Sequence, residues 1–137
     1  MSISAATLRA AALALTGAYE DFPFGPHTSV FKVKAPSGGG AERAGKVFAL
    51  GNLDLSPLSV SYKCDPELAP ALRAANPGII PGYHLNKRHW NTVDTSSVET
   101  QMVLDMMEDS YDLVVSGLPK KQQEALKWSA HVVKSQP

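Results

Sequence analysis

The stretch Leu58-Ser59-Val60-Ser61-Tyr62-Lys63-Cys64-Asp65-Pro66-Glu67 changes its period half-way along, and that change decides the fold. Leu58, Val60, Tyr62 and Cys64 alternate with Ser59, Ser61 and Lys63, the pattern of a strand buried on one face. Asp65-Pro66-Glu67 then reads as a helix start. A capping residue comes first, proline follows at the first helical position, and an acid sits near the positive end of the helix. Leu68, Leu72 and Ala75 give that helix its apolar stripe. Pro70 falls late for a first turn and predicts a distorted start, and Asn76-Pro77-Gly78 ends the helix.

Working outward, Ser4 to Thr16 reads as an N-terminal helix capped by Ser2 or Ser4, with Leu8, Ala12 and Leu15 on one face and Gly17 at its end. Phe22-Pro23-Phe24-Gly25-Pro26 is a loop, because its prolines lack backbone donors. Ser29–Lys34 alternates as a strand, and Ser37-Gly38-Gly39-Gly40 leads to a second strand, Lys46–Leu50. Downstream, Tyr83–Leu85 and Trp90–Asp94 read as two strands joined near Asn86-Lys87-Arg88. Thr95 or Ser96 is expected to cap a long helix ending near Ser116, with Val103, Met107, Tyr111 and Val114 at helical spacing. Gly117 breaks it, and Pro119 opens a last helix expected over 119–133. The expected order, α-βββ-α-ββ-α-α, specifies an α+β domain: a single antiparallel sheet packed against helices.

The chain has 137 residues, a length that suits one domain over 1–137. Hydrophobic residues make up 44% and charged residues 19%, so it is too apolar for a disordered chain. Thirteen Lys plus Arg offset thirteen Asp plus Glu, which excludes a polycation that coats nucleic acid by bulk charge. Cys64 is the only cysteine and cannot form an intramolecular disulfide, which predicts a reducing, cytoplasmic setting. Met1–Gly17 lacks a basic region ahead of its apolar run, and Arg9 interrupts that run. It therefore reads as an amphipathic helix, with neither a leader nor a membrane span expected.

The neutral sum conceals segregation. From Asp94 to Asp112 there are six acids and no Lys or Arg, whereas Arg73 to Val93 carries Arg73, Lys87 and Arg88 and no acid. The acidic helix, 99–116, reads as a solvated face, with a docked protein partner as the alternative. The basic turn is denser in chemistry: Tyr83, His84, Asn86, Lys87, Arg88, His89, Trp90 and Asn91 fall within nine residues. Lys and Arg pair with phosphate, Asn contacts phosphate or a base edge, and Tyr and Trp stack on bases or bury. Two readings stand side by side. In one, the hairpin enters a groove of double-stranded DNA. In the other, Tyr83 and Trp90 are core anchors, Asn86 makes the turn and the two cations are simply exposed.

Other constellations carry less. His84, His89, Cys64 and His27 match no common zinc spacing, so neither metal nor cofactor is expected. Cys64 ends a strand on its apolar face and reads as a small hydrophobe, not a nucleophile. Asp105 shares a helical face with Glu108 and Asp109, a pairing that holds a hard cation weakly at best. There is no GxSxG, P-loop or GxGxxG. No catalytic constellation is present, and enzymatic activity is not expected.

Several blocks in order resemble the MmcQ/YjbR family. They are Phe22-Pro23-Phe24-Gly25-Pro26, Val30-Phe31-Lys32-Val33, Lys46-Val47-Phe48-Ala49-Leu50, Lys63-Cys64-Asp65-Pro66-Glu67, Pro77-Gly78-Ile79, Pro81-Gly82-Tyr83-His84-Leu85-Asn86-Lys87, His89-Trp90-Asn91-Thr92-Val93 and Ser110-Tyr111-Asp112-Leu113-Val114. The resemblance runs from about Leu8 to Lys121. It implies a bacterial α+β protein of CyaY-like fold, whose relatives are described as predicted DNA-binding proteins with a "double wing" motif. The Ala35–Gly45 loop is longer and richer in glycine than that pattern implies. The first helix carries Arg9 and no acid before Glu20, so frataxin-type iron binding does not transfer. The resulting expectation is a DNA-binding module, monomeric or weakly dimeric. Its phosphate contacts come from Arg43 and Lys46 on one hairpin tip and Lys87 and Arg88 on the other, flanked by His84, Asn86, His89 and Asn91. The alternative is a small-molecule or protein-binding domain with a pocket near Tyr83, His84, His89, Trp90 and Asn91.

Overall fold

The computed structural model describes residues 3–36, 45–82 and 85–135. Its elements are α1 (Ala5–Leu13), β1 (Ala18–Asp21), β2 (Ser29–Val33), β3 (Lys46–Gly51), β4 (Ser59–Lys63), α2 (Ala69–Ala75), β5 (Ile79–Pro81), β6 (Trp90–Asp94), α3 (Thr100–Ser116) and α4 (Lys120–Ser135). The six strands form one antiparallel sheet in the order β1-β2-β3-β4-β6-β5.

The expected α+β class holds, with one more strand before α2 than the pattern indicated. Ala18-Tyr19-Glu20-Asp21 pairs with β2, and all four residues are half-buried, so no alternation marks the strand. Backbone pairing with β2 defines it, and side chains tie it down: Lys32 Nζ of β2 donates to Asp21 at 2.8 Å, and Arg9 Nε on α1 donates to both Glu20 carboxylate oxygens at 3.2 Å. The strand expected at Tyr83–Leu85 is β5, placed earlier at Ile79–Pro81; residues 83 and 84 lie outside the described residues.

Helix starts also depart from expectation. Asp65 Oδ1 accepts the Glu67 N–H at 2.8 Å and its carbonyl accepts from Ala69, so the capping chemistry is spent on a turn. The helix proper begins at Ala69, with Pro70 in its first turn, where a missing N–H costs nothing. Neither Thr95 nor Ser96 caps α3. Thr95 is buried, and its N–H and hydroxyl both donate to the Leu58 carbonyl. Ser96 instead donates to Asp94, whose carboxyl is held below the usual range chiefly by that bond. Glu99 occupies the N-cap position.

The helical side of the sheet buries Phe31, Phe48, Val60, Tyr62 and Val93 against Leu8 of α1 and Val103, Met107 and Val114 of α3. Ser110, fully buried in mid-α3, donates to the Phe48 carbonyl at 2.6 Å and accepts the Lys63 N–H at 2.8 Å. It bridges β3 and β4 beyond their paired residues, Ala49–Tyr62 and Leu50–Ser61. The first helix ends at Leu13 with Ala14 as its C-cap, short of the expected Thr16, and Gly17, with φ of 78°, lies in the turn that leads to β1; a Cβ there would lie 2.6 Å from the Lys34 oxygen and 2.7 Å from Leu126 of α4.

Candidate functional site

Tyr62 on β4 and Asn91 on β6 are registered opposite each other. In an antiparallel pair, opposed residues project from the same face, and here Val60 and Val93 mark that face as the interior. Each side chain is 2% exposed. Yet Tyr62 Oη and both polar atoms of the Asn91 amide have no hydrogen-bond partner among the described residues. Buried amides and hydroxyls are nearly always paired, and an unpaired one costs on the order of 1–3 kcal/mol. Burial also pushes the Tyr62 phenol well above its ordinary pKa.

These groups line a cleft of about 360 Å³, within the ~300–1,000 Å³ range of small-molecule sites. Its origin is topological. Helix α2 packs against β5 and β6, while α3 packs against β2, β3 and β4. The β4–β6 seam is left between them. Leu68, at the N-cap of α2, and Leu72 within it form one wall, and Met106 and Leu113 of α3 form the other. Asp65, Asp109 and Asp112, all exposed, line the mouth. Cys64 also lines the cleft. Burial first, then the carboxylates of Asp65 and Asp109, push its thiol up, so it stays protonated near neutral pH.

The expected site residues separate. Asn91 is buried in the cleft floor and does not share the exposed surface of Lys87 and Arg88, with which it was expected to flank phosphate. Strand alternation is the reason: Trp90 and Thr92 take the opposite face from Asn91 and Val93. Of the pocket expected near Tyr83, His84, His89, Trp90 and Asn91, Asn91 lines the cleft, and His89 and Trp90 do not. Tyr83, His84 and Arg43 lie outside the described residues. Asn86 makes the turn, as expected: its Oδ1 accepts the Arg88 and His89 N–H groups at 2.9 and 3.3 Å. Lys87 and Arg88 are exposed at its tip, and Arg73 Nη1 donates to the Lys87 carbonyl at 2.9 Å. Lys46 is exposed at the start of β3. Because the strands run antiparallel, β3 begins and β6 begins at the same end of the sheet, with β4 between them.

Sequence reasoning missed Met106, Asp109, Asp112 and Leu113 as site residues. It assigned Tyr62 to an apolar face but saw no site there. The available signal was an asparagine in register with Val93 on a buried face. Among the described residues, no three His, Cys, Asp or Glu side chains group to hold a metal ion, and no helix is long and apolar enough to cross a membrane.

The family model for YjbR matches residues 13–113. The chain belongs to the YjbR family. This YjbR-family chain is 33% identical over 107 residues to the uncharacterized protein YbdF of Escherichia coli O157:H7, covering 77% of the chain and 80% of YbdF. It is 39% identical over 70 residues to YjbR of Escherichia coli K12, covering 50% of the chain and 58% of that protein. The crystal structure of Deinococcus radiodurans protein DR2400, domain DUF419, superposes with a TM-score of 0.79 at 36% identity, covering 90% of the YjbR-family chain and 88% of DR2400. A Pseudomonas syringae protein superposes with a TM-score of 0.55 at 28% identity, covering 71% and 86%. These relatives are bacterial, and DR2400 and the Pseudomonas protein share the α+β architecture.

Proposed function

We propose that this chain binds a small amphiphilic molecule in the cleft between α2 and α3. The carrying observation is that Tyr62 and Asn91 leave three buried polar atoms unpaired at the floor of a mostly apolar cavity. A ligand with an apolar body and a group that both donates and accepts satisfies the Asn91 amide, which offers one acceptor and two donors. Leu68, Leu72, Met106 and Leu113 supply the apolar contact. The test is an NMR titration of the isotope-labelled chain with tyrosol, a neutral phenol, at millimolar concentration. Shifts at the Asn91 side-chain amide and at Cys64 and Met106 are expected, and Asn91→Leu removes the response elsewhere in the cleft. No shift at these positions overturns the reading.

A second reading is nucleic-acid binding through the hairpin tips. What favours it is that Lys46 and the Lys87–Arg88 turn are exposed at one end of the sheet, with Asn86 and Arg73 hydrogen-bonded to the turn's backbone. About three to five phosphate contacts give a log–log salt slope near −3 to −4.5 for duplex DNA. Anisotropy titrations at two salt concentrations measure it. Binding unaltered in the Lys87→Ala/Arg88→Ala variant, or none at low salt, removes this reading.

A further inference from the structure

The charge at the mouth of the cleft narrows the ligand class, an inference that rests on the cleft reading above. Three carboxylates, Asp65, Asp109 and Asp112, line an opening whose floor holds the unpaired Tyr62 hydroxyl and Asn91 amide. Lys63 is the one Lys or Arg among the described residues that line the cleft, so carboxylates outnumber cations there by three to one. Lys63 lies on β4, where alternation turns its side chain to the face of Ser61, away from Tyr62. Arg73, whose Nη1 donates to the Lys87 carbonyl, keeps its charge but does not line the cleft. The Cys64 thiol reports the same field from within: after burial, Asp65 and Asp109 raise its pKa, and the opposing effect of Arg73 is the smallest of its causes.

We propose that the cleft selects a small organic cation, a protonated amine on an apolar body whose far end carries a hydrogen-bonding group. The polar end meets Asn91 and Tyr62, the body lies between Leu72 and Met106, and the ammonium stays at the hydrated mouth beside the carboxylates. A cavity of about 360 Å³ suits a single ring with a short side chain and is too small for a folded partner. The ammonium loses little of its hydration there, so attraction costs little desolvation. Each exposed carboxylate contributes weakly, and together they favour a cation about tenfold over its neutral analogue.

The experiment compares tyramine, tyrosol and hydroxyphenylacetate, which share a hydroxyphenyl body and carry an amine, a hydroxyl and a carboxylate. NMR titrations of the full chain at low salt, read at Asn91 and Cys64, are expected to rank tyramine about tenfold tighter than tyrosol, with hydroxyphenylacetate weakest. The preference shrinks in high salt and in the Asp109→Asn/Asp112→Asn variant. Asp105→Asn, at an exposed position that does not line the cleft, preserves it. Tyrosol binding as tightly as tyramine overturns the charge selection and leaves the cleft reading standing. Failure of all three to shift these resonances overturns both.

Discussion

Asn91 occupies a position where a hydrophobic residue of similar volume suits the fold better. Its neighbour on the same face, two residues on, is the fully buried Val93, and its cross-strand partner is Tyr62. Replacing it removes an unpaired buried amide, so Asn91→Leu is expected to stabilise the chain by about 1 kcal/mol and raise Tm by ~2–6 °C. Thermal unfolding of wild type and variant checks this, and a fall in Tm shows that the amide is paired. A gain in stability alongside loss of ligand response is the signature of a residue kept for binding. Cys64 gives a second residue-scale expectation. Its thiol is raised above the ordinary value by burial and by Asp65 and Asp109, so its alkylation by iodoacetamide at pH 8 is slower than that of a free thiol. The rate rises toward the free-thiol value only above the ordinary thiol pKa. Asp65→Asn/Asp109→Asn is expected to accelerate it at pH 8, measured as a pseudo-first-order rate.

At the scale of elements, α3 shows what periodicity conveys and what it conceals. The spacing of Val103, Met107 and Val114 reveals the helix and its inward face, because burial of apolar side chains needs no partner of particular geometry. Ser110 lies on that same face and is invisible to the pattern, since its role depends on where β3 and β4 stop pairing. Ser110→Ala leaves the Phe48 carbonyl and the Lys63 amide without it, at a cost of about 1–3 kcal/mol. The exposed Ser116→Ala costs less than ~0.5 kcal/mol. Urea unfolding of the two variants separates them. The helix starts were misjudged for a related reason. Asp65, Thr95 and Ser96 are capping types, but Asp65 serves a tight turn, Ser96 bonds Asp94, and Thr95 bonds the Leu58 carbonyl. The cleft follows from elements too: its floor residues sit in strands whose alternation was legible, whereas its walls come from helices separated in sequence by β5 and β6, a pairing no local pattern encodes.

For the whole molecule, the sheet connects distant parts through close backbone approaches. Gly17 lets the chain leave α1, pass Lys34 at the end of β2 and make room for Leu126 of α4. Gly17→Ala meets a left-handed φ and a backbone oxygen 2.6 Å away, and is expected to cost about 2 kcal/mol or more, read as lost Tm. The class of the fold was legible because strand and helix periods alternate along the chain. β1 was not, because its half-buried residues carry no alternation. The two borders of the sheet have a further consequence. β5 is three residues long and ends at Pro81, which has no N–H to offer, and β1 is four residues long and carries Glu20 and Asp21. A short border with proline and a short border with charge both resist strand addition. Among the described residues, both borders of the sheet are therefore poor templates for copies of this chain to join edge to edge into fibrils.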